Sequence, residues 1–220
     1  MEHPEKSCRL CGSSVGLVPL TDRGKRLHIF CPTCHLISTE KRFLPDTEKE
    51  KSRYAMHQND LRDEGYVRFL RQAIDPSLPF LRPEMTGLDY GCGPTPTLSS
   101  LLNAAGYACE DYDPFFAPHA LEKKFDYIFS TEVFEHFFHP AREIEKIRSL
   151  LNHGGLLIVM TERWNELAQF PKWHYTNDVS HVAFYHKKTF DFICDMFGFE
   201  KVFDDGLRVQ IFKMAVKCVN

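Results

Sequence analysis

Residues 87–98 read Gly-Leu-Asp-Tyr-Gly-Cys-Gly-Pro-Thr-Pro-Thr-Leu, a short apolar run that ends in a glycine loop. The apolar run predicts a buried β-strand. Gly91 and Gly93 permit backbone conformations and close contacts that other residues do not. Apolar residues then recur at helical spacing up to Gly106, which predicts a helix that ends at a glycine. The stretch therefore predicts a strand, a tight loop and a helix in succession.

Predicted strands and helices continue to alternate downstream. Further strands are predicted over 107–112, 125–130 and 156–160, and helices over 140–151 and 190–197. This alternation is typical of an α/β protein with a mainly parallel, doubly wound, Rossmann-like sheet. Two β-rich runs, 199–203 and 209–216, flank an Asp-Asp-Gly turn and predict a C-terminal β-hairpin with a reversed strand at the sheet edge.

Upstream of the glycine loop, the spacing predicts an amphipathic helix from the low 60s to Ile74, ended by Pro76, Pro79 and Pro83. We therefore predict three parts. A small ribbon occupies 1–45, a linker with the N-terminal helix occupies 46–80, and the domain with the predicted α/β sheet occupies 81–220.

The N-terminal part contains two Cys-x2-Cys pairs, separated by nineteen residues. Each pair can place both sulfurs on one ion, and this spacing matches tetrahedral structural zinc sites. We predict a structural Zn²⁺ in a zinc ribbon, with His35 as an alternative ligand that could replace a cysteine. The predicted ligands are Cys8, Cys11, Cys31 and Cys34.

Composition limits the function classes. With 43% hydrophobic residues the chain can bury a core, and no apolar run approaches the roughly 20 residues of a membrane span. The sequence has no secretory signal and its cysteines are paired as in metal sites, so we expect a cytoplasmic protein. The net charge is +3 over residues 1–71 and −6 over the rest, which lacks the dense positive surface of an obligate nucleic-acid binder.

Residues 88–98 resemble motif I of class I S-adenosylmethionine-dependent methyltransferases, in which an acid and Gly-x-Gly end the first strand. A nicotinamide-binding fingerprint would need a third glycine where Pro96 stands. Residues 110–116 and 125–137 continue the resemblance in the same order, and the second includes the pattern Glu-x-x-Glu-His. Overall, the chain is most similar to the broad group that includes quinone and other small-molecule O-methyltransferases.

The resemblance implies a set of cofactor contacts. Asp113, directly after the second strand, would bind the ribose hydroxyls, with Asp111 as the alternative. Pro114 and Phe115 would cover the adenine. The remaining predicted contacts with S-adenosyl-L-methionine are Asp89, Tyr90, Gly91, Cys92, Gly93, Thr131 and Glu132.

Candidate catalytic residues follow two strands whose carboxyl ends should open on one crevice. They are Glu135, His136 and His181, and an imidazole can act as a base near neutral pH. In related methyltransferases His136 and the preceding acid often belong to a structural turn, which stays open as the alternative. The aromatic residues Trp173, Tyr175, Phe184 and Tyr185 could form a substrate wall or pack in the core, and Tyr54 and His57 could cover the cofactor.

We therefore predict a methyltransferase that acts on a small molecule or metabolite. One alternative is an RNA- or protein-directed methyltransferase that docks through the ribbon, and another is a non-catalytic cofactor-binding or zinc adaptor protein. No membrane partner is expected, and the sequence leaves the oligomeric state open.

Overall fold

A computed structural model of the chain describes residues 6–46, 48, 51 and 60–215. Tyr54 and His57, for which a role over the cofactor was predicted, lie outside the described residues. The last residue of the predicted hairpin, Val216, also lies outside them.

Within residues 60–215, six strands form a central sheet in the order β5-β4-β6-β7-β10-β9. The strands β5, β4, β6 and β7 are parallel, and β10 is antiparallel to both of its neighbours. Their bounds are β4 (Thr86–Tyr90), β5 (Ala108–Tyr112), β6 (Phe125–Thr131), β7 (Leu151–Met160), β9 (Phe199–Asp204) and β10 (Val209–Met214). The predicted α/β Rossmann-like sheet is confirmed.

Helices cover both faces of this sheet, as a mainly parallel sheet requires. Alternate residues along a strand point to opposite faces, so β7 contributes Leu157 and Val159 to one apolar cluster and Ile158 to the other. The helices are α1 (Glu64–Ser77), α2 (Thr97–Ala104), α3 (Pro140–Leu150) and α4 (Lys187–Phe197). The first two pack on one face, and the last two pack on the other.

The reversed strand does not lie at the sheet edge, where it was predicted. β10 lies between β7 and β9, and β9 forms the edge. Burial explains the order, because β10 presents apolar residues to both faces, such as Ile211 and Phe212, whereas most of β9 is partly exposed.

Three predicted boundaries were also wrong. α4 begins at Lys187 instead of Phe190, and the His186 side chain caps it by accepting from the Lys188 amide at 3.2 Å. α1 continues through Pro76 to Ser77, because a proline in the last turn removes a single hydrogen bond, and the Ser77 hydroxyl donates to the Ala73 carbonyl at 2.6 Å. β7 begins at Leu151 rather than Leu156, so the Gly154-Gly155 pair lies within the strand.

The N-terminal strands form a second sheet that includes a piece of the C-terminal half. Strands β1 (Val18–Thr21), β2 (Leu27–Phe30) and β3 (Ile37–Thr39) are antiparallel, and β3 pairs with β8 (Ala183–Phe184). Cysteines of the ribbon also belong to the same apolar cluster as one face of the central sheet. The ribbon therefore packs against the central sheet and pairs with β8. The boundary at residue 45 stays a prediction.

No helix in the described part of the chain is both long and apolar enough to cross a bilayer.

Candidate cofactor and acceptor site

The loop after β4 turns sharply toward the carboxyl ends of the neighbouring strands. Gly91 and Gly93 have φ of 88° and 67°, in the left-handed region that favours glycine. A Cβ atom on Gly91 would lie 2.5 Å from a methyl carbon of Val133, so this position also requires the absence of a side chain. The Gly91 amide donates to the Tyr112 carbonyl at 2.7 Å, which joins the loop to the end of β5.

Asp113, the first residue after β5, organises this region. One carboxylate oxygen accepts from the Gly93 amide at 3.1 Å, and the other accepts from the amides of Phe115 and Phe116 at 2.8 and 3.1 Å. Asp113 thereby joins the glycine loop to the segment that follows β5. Carboxylate oxygens have further acceptor capacity, so the same group can accept from ligand hydroxyls.

Two other acids lie beneath the loop. Asp89 and Asp111 are paired across β4 and β5. Burial, with the charges of Asp111 and Asp113, raises the pKa of Asp89 to about 8. Burial also raises the pKa of Asp111. Neither acid lines the cavity above the loop, whereas Asp113 does, which favours Asp113 as the ribose ligand.

A cavity of about 580 Å³ opens at the carboxyl ends of the strands. Its volume is in the range of small-molecule and cofactor sites. Apart from Asp89, all residues named above as cofactor contacts or candidate catalytic residues line it: Tyr90, Gly91, Cys92, Gly93, Asp113, Pro114, Phe115, Thr131, Glu132, Glu135, His136 and His181. Tyr66 and Phe69 of α1 also line it.

Glu132 and Glu135 form a buried acid pair beside the cavity. The Tyr175 hydroxyl lies 2.5 Å from one oxygen of Glu135 and 3.2 Å from an oxygen of Glu132, so it bridges them. The Thr161 hydroxyl donates to the other Glu135 oxygen at 2.8 Å. Burial and the charge of Glu135 raise the pKa of Glu132 to about 8. Glu132 also has a positive φ of 54°, unusual outside glycine.

His136 and His181 both line the cavity, and their rings are in edge contact with centroids 5.0 Å apart. Nδ1 of His136 lies 3.0 Å from the Ser180 carbonyl oxygen, and Nδ1 of His181 lies 2.8 Å from that of Tyr175. One ligand atom from each of Glu135, His136 and His181 lies within 4.8 Å of the others, a spacing at which they could hold a metal ion.

The ribbon holds the segment that carries His181. The buried Arg26 guanidinium pairs with Asp22 at 2.9 Å and donates to backbone carbonyls of this segment. It reaches Val179 at 3.2 Å and His181 at 3.3 Å, and it also contacts the Thr176 carbonyl. The ribbon therefore supports, from behind, the segment that places His181 at the cavity.

Trp173, Tyr175, Phe184 and Tyr185 pack in or against the apolar core, which was one of the two roles left open for them. Phe184 and Tyr185 are fully buried, and Tyr175 reaches the site through its hydroxyl alone. None of these rings lines the 580 Å³ cavity.

The four ribbon thiols lie together. Sγ of Cys8 lies 3.5 Å from Sγ of Cys34, Sγ of Cys11 lies 3.5 Å from that of Cys31, and all four sulfurs lie within 4.8 Å of one another. His35 turns away and its ring stacks on Trp164 and His186, which favours the cysteines as ligands.

The fold and this cavity define the class of the protein. A six-stranded α/β sheet in which β10 runs opposite to its neighbours, and a Gly-x-Gly loop and strand-end acid that line one cavity, are the features of a class I S-adenosylmethionine-dependent methyltransferase. Comparisons with known proteins agree. A family profile described as a methyltransferase domain matches residues 59–202. The chain belongs to this family and is an S-adenosylmethionine-dependent methyltransferase.

Solved structures support the fold. The PH0226 protein from Pyrococcus horikoshii is 13% identical, with a TM-score of 0.53 over 74% of this chain and 98% of that one. One chain of a Haloferax volcanii complex that contains the Trm112 methyltransferase activator is 12% identical, with a TM-score of 0.51 over 76% and 98%. No curated protein matches the chain significantly.

Proposed function

We propose that the chain transfers the methyl group of S-adenosylmethionine to a small molecule or metabolite bound in the 580 Å³ cavity. The observation that carries this proposal is that the glycine loop with Asp113 and the cluster of Glu135, His136 and His181 line the same cavity. The first group suits the cofactor, and the second suits the acceptor.

In this proposal the loop from Asp89 to Gly93 holds the methionine end of the cofactor. Asp113 accepts from the ribose hydroxyls, Pro114 and Phe115 cover the adenine, and Thr131 and Glu132 lie next to the sulfonium. The position of Asp113 supports this assignment, because its carboxylate lines the cavity and can still accept from ligand hydroxyls. His136 and His181, with Glu135 behind them, orient the acceptor.

A small-molecule acceptor is favoured over RNA or protein by the position of the ribbon. Its strand β3 pairs with β8, and Arg26 supports the segment that carries His181. The ribbon is therefore used to support the site, and it does not project from the domain as a separate docking surface. The cytoplasm stays the predicted compartment.

We also propose that the four ribbon cysteines bind one structural zinc ion. Four thiolates fill a tetrahedral shell, which leaves no open position for chemistry. Protein purified without chelator should contain about one tightly held zinc per chain. Cys34→Ser should lose it and Cys92→Ser should keep it, and a protein without zinc would remove this claim.

Labelled S-adenosylmethionine tests the acceptor class. The protein should transfer label to a small-molecule fraction of a cell extract and leave the RNA and protein fractions unlabelled. Label in RNA would instead support a nucleic-acid substrate. A protein that binds the cofactor yet labels no fraction would contradict the proposed transfer.

A further inference from the structure

A second metal site, separate from the ribbon cysteines, is indicated by the residues on the acceptor side of the cavity. Glu135, His136 and His181 each contribute a ligand atom, and these atoms lie within 4.8 Å of one another. Two imidazoles and one carboxylate form a common ligand set for divalent transition metals that keep open coordination positions.

The hydrogen bonds of the two histidines favour this role. The Nδ1 atoms of His136 and His181 lie 3.0 and 2.8 Å from the Ser180 and Tyr175 carbonyl oxygens. A carbonyl oxygen only accepts, so each Nδ1 carries the hydrogen, and in the neutral ring Nε2 keeps a lone pair. Metal-binding histidines usually donate their second nitrogen in this way.

The carboxylate is fixed in the same manner. Both oxygens of Glu135 accept from hydroxyl groups, one from Tyr175 and one from Thr161. The backbone also joins the two halves of the cluster, because the Val182 amide donates to the Glu135 carbonyl at 2.8 Å. The three side chains are therefore held in place before any ligand arrives.

An unpartnered buried oxygen gives a further reason for a cation. Glu132 adjoins Glu135 through the shared Tyr175 hydroxyl, and its Oε1 is buried with no hydrogen-bond partner among the described residues. A buried polar atom without a partner is costly. A divalent ion held by Glu135 and the two histidines would offset that cost at this side of the cavity.

We propose that Glu135, His136 and His181 bind a divalent first-row transition ion whose open positions face the cavity and take an oxygen of a hydroxylated acceptor, such as a vicinal diol or catechol. This proposal rests on the proposed methyl transfer and names its acceptor class. A metal lowers the pKa of a coordinated hydroxyl. In the reaction, the hydroxyl proton passes to water, the oxygen forms a bond to the methyl carbon, and the breaking sulfur–carbon bond leaves its electron pair on sulfur.

Cobalt binding tests the site in the full, zinc-loaded chain. Titration with CoCl2, followed by calorimetry and absorption, should show one ion per chain with a spectrum that lacks thiolate charge-transfer bands. His136→Gln and His181→Gln should each weaken cobalt binding by at least about tenfold. His174→Gln, on the same segment but with its side chain 71% exposed, is the matched control and should bind cobalt like the wild type.

Catechol is the probe for the open positions. It should change the cobalt spectrum of the wild type and of His174→Gln, but not that of His181→Gln. The proposal is overturned if no cobalt binds beyond the ribbon site, if the His136 and His181 variants bind cobalt like the control, or if catechol leaves the wild-type spectrum unchanged.

Affinity for S-adenosylhomocysteine, measured on the same samples, separates this proposal from the proposed function. If each variant binds this product normally, the variants are folded, and a negative cobalt result counts against the metal site alone. If the wild type fails to bind it, the methyl-transfer proposal fails whatever the cobalt result.

Discussion

Replacement of Asp113 by alanine gives the sharpest test of the cofactor geometry. The carboxylate accepts from three backbone amides at 2.8–3.1 Å, and in the proposed complex it also accepts from the ribose hydroxyls. Asp113→Ala leaves those ligand hydroxyls without their partner and frees the glycine loop. The affinity for S-adenosylhomocysteine should fall by about 1–3 kcal/mol, or about five- to 150-fold in Kd.

The assay is isothermal titration calorimetry with S-adenosylhomocysteine, with thermal unfolding of each variant recorded so that the titrations are run on folded protein. Asp111→Ala is the matched control, because this acid precedes Asp113 by two residues but does not line the cavity. Its Kd should stay within about threefold of the wild type. The reasoning is refuted if folded Asp113→Ala binds like the wild type, or if Asp111→Ala loses more affinity than Asp113→Ala does.

Three further predictions concern the loop, the acid pair and the ribbon. In urea denaturation, Gly91→Ala should lower the free energy of unfolding by about 1–2 kcal/mol for the left-handed backbone and by a further 1–3 kcal/mol for overpacking against Val133. Gly206 has a φ of 78° and open space around it, so Gly206→Ala should show only the backbone cost of about 1–2 kcal/mol. The pKa of Glu132 is about 8 in the folded protein against an ordinary 4.5, so the stability that it contributes is present below about pH 4.5 and is lost as pH rises through 8. Between these pH values the free energy of unfolding should therefore fall more for the wild type than for Glu132→Gln. Parallel curves for the two proteins would contradict the assignment. Arg26→Ala breaks a buried ion pair, so it should lower the free energy of unfolding by about 3–5 kcal/mol and speed amide exchange over residues 175–182. Arg62→Ala, at a surface ion pair, should change neither quantity. Equal exchange rates in the two variants would argue against the ribbon's role.

Much of the cofactor half could be predicted from the sequence because its signals are local. The two glycines are required where the backbone turns with positive φ, and Asp113 follows β5 directly, so strand, loop and acid are adjacent in the chain. The cysteine pairs are equally local, and their sulfurs lie together as the spacing predicts.

The acceptor half depends on contacts between distant parts of the chain, and the sequence carries little sign of them. Arg26 reaches the His181 carbonyl across 155 residues, and Tyr175 and Thr161 converge on Glu135 from separate loops. No periodicity or motif marks such residues, although Thr161 directly follows a buried strand, which places it at the same edge of the sheet. The positions of β9 and β10 are another example, because the more buried strand, β10, lies inside the sheet although it comes last in the chain.

Cofactor choice tests the central claim most directly. Purified protein titrated with S-adenosylhomocysteine and, in a separate experiment, with NADH should bind one S-adenosylhomocysteine per chain and should not bind NADH. Binding of NADH with no binding of S-adenosylhomocysteine would contradict the assignment of the Gly91–Gly93 loop and Asp113 to a methyl donor.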